Sequence, residues 1–114
     1  QQFERLKSKK EISFVFDKGA GVSSFPIKLF FIKNSLKKRS NVAFTVGKKS
    51  LNKAVDRNKT KRLMREVFRL NCLKDGVFLG HSLVFVYLGK EVVPFDSIKK
   101  GFLGVVEKFA AKKI

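Results

Sequence analysis

The stretch KKSLNKAVDRNKTKRLMREVFRLNCL, residues Lys48–Leu73, determines how the chain folds. At about 100° per residue, its central part separates polar from apolar side chains on two sides of a helix. We define the basic arc as the polar side, which comprises Asn58, Lys61, Arg62, Arg65 and Arg69. The opposite side comprises Leu63, Met64, Val67, Phe68 and Leu70. The pattern predicts a long amphipathic helix over Leu51–Leu73 whose apolar side covers a sheet.

The basic arc has the chemistry of a phosphate-binding surface. An arginine presents a planar fork that binds phosphate oxygens at two points, so cations along one arc can follow a phosphate backbone. An ordinary solvated face is the alternative, but such faces usually mix the two signs of charge. Glu66 is the only acid beside the arc, which favours phosphate binding. Further lysines and an arginine extend the predicted basic surface, namely Lys48, Lys49 and Lys53 before the arc and Lys37, Lys38 and Arg39 in a predicted loop.

The segments before this helix predict a helix and a hairpin. Ser8 to Lys18 is a predicted helix, because Ser8 and Glu11 have capping-box spacing and Gly19 can cap its end. Residues 19–24 are a predicted turn with at most a very short strand. Two strands follow, at residues 25–33 and 41–47, and we predict that they form an antiparallel hairpin.

After the long helix, the continuous apolar run of residues 82–88 predicts a strand that is buried on both faces. Pro94 and Asp96 open a last helix with an apolar face. The predicted element order is α-β-β-β-α-β-α. It corresponds to an α+β sandwich in one domain over residues 1–114, with a small, mostly antiparallel sheet and helices packed on it.

The charge of the chain indicates a polyanionic partner. The 114 residues include 26 Lys and Arg against nine Asp and Glu, which gives +17 and a pI near 10.4. Charge for solubility alone usually stays within about 2–8 units in a small domain. Nucleic acid is the predicted partner, because released counterions drive binding wherever cations meet phosphates. An anionic membrane surface is the alternative, but it would need the apolar helix face that the sheet requires.

The remaining composition predicts a cytoplasmic binding protein without its own catalytic centre. Cys72 is the single cysteine, and neither a signal peptide nor a membrane-spanning apolar run is recognisable. The acids are scattered singly, and the one histidine, His81, has no evident partner. We therefore predict no metal site and no catalytic residue in the chain. A nuclease that acts alone and an RNA-scaffolding protein similar to ribosomal proteins remain alternatives.

The sequence resembles the protein component of bacterial ribonuclease P. Its central motif has the family's elements in order: a lysine pair, a short turn, Ala-Val, Arg-Asn and, after two residues, Lys-Arg-x-x-Arg-Glu, here Lys48 to Glu66. The N-terminal residues Arg5-Leu6-Lys7, Glu11, Phe16 and Gly19 also resemble the family's start. The similarity covers nearly the whole chain.

The resemblance implies a fold with a left-handed strand–helix–strand crossover and a role as partner of a catalytic RNA. Arg57, Asn58, Lys61, Arg62 and Arg65 would meet that RNA, with Lys48 and Lys49 nearby. The resemblance also implies a cleft for the 5′ leader of precursor tRNA, formed by Ile12, Phe16, Lys28 and Phe30. Ile12 replaces the family's usual aromatic residue, so it can pack against a base but cannot stack on it. The RNA partner would perform magnesium-dependent hydrolysis, with no organic cofactor and no obligate protein partner.

Overall fold

A computed structural model describes residues 3–33, 40–72 and 76–113 as a five-stranded sheet with helices on both faces. The predicted α+β architecture is confirmed. In chain order the elements are β1 Phe3–Arg5, α1 Lys9–Lys18, β2 Ala20–Ser24, β3 Ile27–Lys33, β4 Ser40–Val46, α2 Ala54–Asn71, β5 His81–Tyr87 and α3 Phe95–Lys113.

The sheet has the strand order β1-β4-β5-β3-β2. β5 is parallel to β4 and antiparallel to β3, so the predicted hairpin between β3 and β4 is wrong. The apolar run of β5 explains the difference, because a strand buried on both faces is most stable between two neighbours. β1 pairs with β4 in parallel and β2 pairs with β3 antiparallel. The sheet is therefore evenly mixed rather than mostly antiparallel.

The parallel pair β4 and β5 is connected through α2, which is the strand–helix–strand crossover that the resemblance implies. Its handedness stays a prediction. α2 begins at Ala54 rather than at the predicted Leu51, because Leu51 is buried in the core and Lys53 has extended backbone. Leu70 was expected on the apolar side of α2, but it is half exposed near the end of the helix.

Two short strands differ from the sequence prediction. β1 was not predicted, since three residues are too few to show a periodic pattern. Residues 20–24 were assigned mainly to a turn but form β2, and the chain reverses at the Phe25–Pro26 step instead. β2 forms a strand because its whole length pairs with β3.

The two faces of the sheet bury different amounts of apolar surface. α2 and α3 cover one face with a large cluster that includes Met64, Phe68, Phe85 and Phe102, all fully buried. Of the described helices, α1 covers the other face, where its buried Val15 packs against the Val84 side of β5. We call this second face the α1 face. One short helix leaves part of the α1 face open.

Gly19 fixes how closely α1 approaches the sheet. Ser8 caps the start of the helix by accepting a hydrogen bond from the Glu11 amide at 3.3 Å, and Gly19 donates to the Val15 carbonyl at 2.8 Å at its end. A Cβ atom at Gly19 would lie 2.4 Å from the Val15 carbonyl oxygen and 2.7 Å from that of Phe31. Both atoms belong to the backbone of packed elements and cannot move aside cheaply.

We expect Gly19→Ala to lower the free energy of unfolding by about 1–3 kcal/mol, the usual cost of forcing extra volume into a packed site. Gly47→Ala is the matched control, because a Cβ atom there meets nothing within 4 Å. Urea denaturation followed by circular dichroism measures both variants. If the two variants are equally stable, the close backbone contact at Gly19 does not restrict the side chain at this position.

Candidate nucleic-acid interface

The basic arc lies on the solvent side of α2, opposite the buried Met64, Val67 and Phe68. Its members Asn58, Arg62, Arg65 and Arg69 are exposed, and Lys61 is half-buried. Lys61, Arg62 and Arg65 form no ion pair with any residue that the structure describes. Their charges are therefore available to an external anion.

Arg69 differs from the other members of the arc. Its guanidinium donates a hydrogen bond to the carboxylate of Glu66, one turn earlier on the helix, and both side chains are about half exposed. This exposed ion pair offsets part of the charge of Arg69, which distinguishes it from Lys61, Arg62 and Arg65.

Arg57, which the resemblance places against RNA, also holds the start of α2. One guanidinium nitrogen donates to the carbonyl oxygens of Leu51 at 3.0 Å and Asn52 at 2.8 Å. The Ser50 hydroxyl in the same turn donates to the Tyr87 carbonyl at 3.2 Å. These bonds fix the turn between β4 and α2, and with it the exposed lysines of the predicted basic surface, Lys48, Lys49 and Lys53.

Arg5 is a cation of this surface that the residue patterns alone did not single out. It lines a groove of about 360 Å³ together with Lys61 and Arg65, and the same groove reaches Ile12 on α1. The parallel pairing of β1 with β4 places Arg5 there. The motif Arg5-Leu6-Lys7 was part of the family resemblance, but its position beside α2 depends on a strand pairing that no local pattern reveals.

The predicted leader cleft residues lie together on the α1 face. The rings of Phe16 and Phe30 are 4.9 Å apart between centroids, and the Lys28 ammonium lies 4.9 Å from the centroid of the Phe30 ring. Phe16 is 39% exposed, which excludes a purely core role for it, whereas Phe30 and Ile12 are partly buried. An open aromatic pair beside an ammonium group suits an unpaired base and its phosphate.

The described residues offer little for metal binding, thiol chemistry or membrane insertion. They contain no group of three or more His, Cys, Asp or Glu side chains that could hold a metal ion. Burial raises the pKa of the Cys72 thiol to about 12, so this cysteine is not a nucleophile at neutral pH. No described helix is long and apolar enough to cross a membrane. The predicted basic loop residues Lys37, Lys38 and Arg39 lie outside the described residues.

Comparisons with known proteins agree on one family. A family model described as "Ribonuclease P" matches residues 1–110. The ribonuclease P protein component of Natranaerobius thermophilus is 39% identical over 85 residues, which cover 75% of this chain and 70% of the relative. That of Caldanaerobacter subterraneus subsp. tengcongensis is 30% identical over 109 residues, which cover 95% and 90%. The solved RNase P protein from Thermotoga maritima has a TM-score of 0.75 at 29% identity and covers 92% of this chain and 96% of its own.

Replacing Arg62 and Arg65 with Ala should weaken binding to a bacterial ribonuclease P RNA and reduce its salt dependence. The plot of log K against log salt has a negative slope, and each lost phosphate contact makes it shallower by about one. Titrations at several salt concentrations measure the slope, with Lys100→Ala on the exposed side of α3 as the control. If the double variant keeps the slope of the wild-type protein, the basic arc is not part of the RNA interface.

Proposed function

Because the chain belongs to the ribonuclease P protein family, and is thus a tRNA-processing subunit that partners an RNA, we propose that it binds the catalytic RNA through the basic arc and the 5′ leader of precursor tRNA through the cleft on the α1 face. The RNA subunit carries the catalytic centre and the magnesium ions. The protein supports removal of the leader, acts in the cytoplasm and needs no further protein.

The observation that carries this proposal is the continuity of the two surfaces. The basic arc lies on α2 and the aromatic pair lies on the opposite face of the sheet, yet the Arg5 groove contains both Lys61 and Arg65 of the arc and Ile12 of the cleft. One continuous surface can therefore contact the catalytic RNA at one end and a single-stranded leader at the other.

The distribution of charge supports an electrostatic contribution of the protein. Two RNA molecules that approach each other repel through their phosphates, and magnesium is the usual counterion that offsets the repulsion. A protein with a charge of +17 placed between them does the same at fixed positions. The protein should therefore lower the magnesium concentration that the reaction requires.

We expect the protein to stimulate cleavage of a precursor tRNA by a bacterial ribonuclease P RNA strongly at low magnesium and weakly at high magnesium. The protein alone should leave the substrate intact. Cleavage assays across a magnesium series measure this. Absence of stimulation with intact RNA binding would favour a basic RNA scaffold instead, and cleavage by the protein alone would establish a nuclease in its own right.

The cleft generates a separate prediction. Phe16→Ala removes the exposed ring of the aromatic pair. We expect the affinity for precursor tRNA to fall by about fivefold or more, because this corresponds to the lower end of the free energy of stacking a base on an aromatic ring. Affinity for mature tRNA should stay the same, because it has no leader. Leu103→Ala on α3, an apolar residue that is 43% exposed and lies outside both surfaces, is the control. Equal losses for both tRNAs would place Phe16 outside the leader site.

A further inference from the structure

A second hollow lies on the side of α1 away from the aromatic pair. Along β3 the residues of the α1 face are Lys28, Phe30 and Ile32, at intervals of about 7 Å. Phe30 contacts Phe16, whereas Ile32 belongs to the hollow, which has a volume of about 500 Å³. The residues that line it are Lys10, Glu11, Phe14, Val15, Ile32, Lys33 and Ser82.

Phe14 is the most exposed ring of α1. It lies about 200° around the helix from Phe16, so the two rings face opposite sides of α1. Phe14 is 52% exposed, against 39% for Phe16. An exposed aromatic ring offers a face on which a base can stack, and this hollow supplies the space for a planar ring beside Phe14.

The hollow also contains a serine hydroxyl that has no hydrogen-bond partner among the described residues. Ser82 is 4% exposed, lies on the α1 face of β5, and its hydroxyl makes no hydrogen bond to any described residue. Such a hydroxyl can both donate to and accept from the edge of a base. A base in the hollow would give this hydroxyl a partner that it lacks among the described residues.

The charged residues around the hollow add contacts for a phosphate group and for the edge of a base. Lys10 and Lys33 stand at its rim and can bind a phosphate. Glu11 adds one negative charge there, which the two lysines exceed, and its carboxylate can accept a hydrogen bond from an exocyclic amino group. Uracil has no such group, so the set of contacts fits adenine, cytosine or guanine better.

We propose that this hollow binds an unpaired nucleotide of the 5′ leader, outside the stretch that occupies the cleft lined by Phe16 and Phe30. The inference rests on the proposed function, because it assigns a second contact to the same single strand. The leader is the expected source since an unpaired strand offers its bases freely, and the cleft and the hollow flank the same helix on the same face of the sheet.

The test uses the reconstituted complex of protein and ribonuclease P RNA with precursor tRNAs whose leaders are lengthened one nucleotide at a time. Phe14→Ala should leave the affinity for short leaders unchanged and lower it by about fivefold or more once the leader is long enough to reach the hollow. Leu103→Ala on α3, which removes a similarly exposed apolar side chain, is the matched control. With the wild-type protein, uracil at the responsive position should bind more weakly than adenine.

Three results would overturn the inference. One is an equal loss for all leader lengths, and another is no loss at any length. The third is a loss of affinity for the catalytic RNA alone, which would assign the hollow to that RNA. In each case, a retained preference of the wild-type protein for precursor over mature tRNA would leave the proposed function standing. Loss of that preference would instead contradict the proposed function.

Discussion

The burial of β5 on both faces is the constraint on which the rest of the structure depends. Phe85 in this strand is fully buried, and its ring contacts those of Phe44, Phe68 and Phe102, with centroids 5.7, 5.4 and 4.7 Å away. Such a strand is stable only between two other strands and between two layers of helices. Because β4 lies beside β5 in parallel, the chain must leave the sheet between them, and α2 is the connection.

The position of α2 follows from this connection and separates the basic arc from the aromatic pair. α2 covers one face with its apolar side and directs the basic arc to solvent, whereas α1 lies on the other face. The surfaces meet at the edge of the sheet where β1 ends after Arg5 and leaves part of β4 uncovered. A short edge strand thus brings Arg5, Lys61 and Ile12 into one groove.

The sequence predicted the elements with a strong local signal and missed those that depend on distant partners. The exposure of the basic arc was predicted correctly because periodicity determines which side of a helix is apolar. Leu70 was assigned to the apolar side but is 51% exposed, near the end of the helix. The hairpin was wrong because two alternating strands that are adjacent in sequence give no indication that β5 inserts between them. Arg5 could not be placed, since its environment depends on the pairing of β1 with β4.

The phenylalanines show most clearly where local reasoning ends. The chain has thirteen, and composition alone indicates only that a few of them are displayed. Phe14 and Phe16 are two residues apart on one helix, and a helix of ten residues that crosses a sheet has two open flanks. Val15 between them takes the buried position, so neither ring can enter the core. The burial of Val15 thus exposes one aromatic ring on each side of α1: Phe16 contacts Phe30, which has the Lys28 ammonium beside it, and Phe14 lines a hollow together with Lys10 and Lys33. The same packing that anchors α1 to the sheet therefore generates two places where an unpaired base can stack.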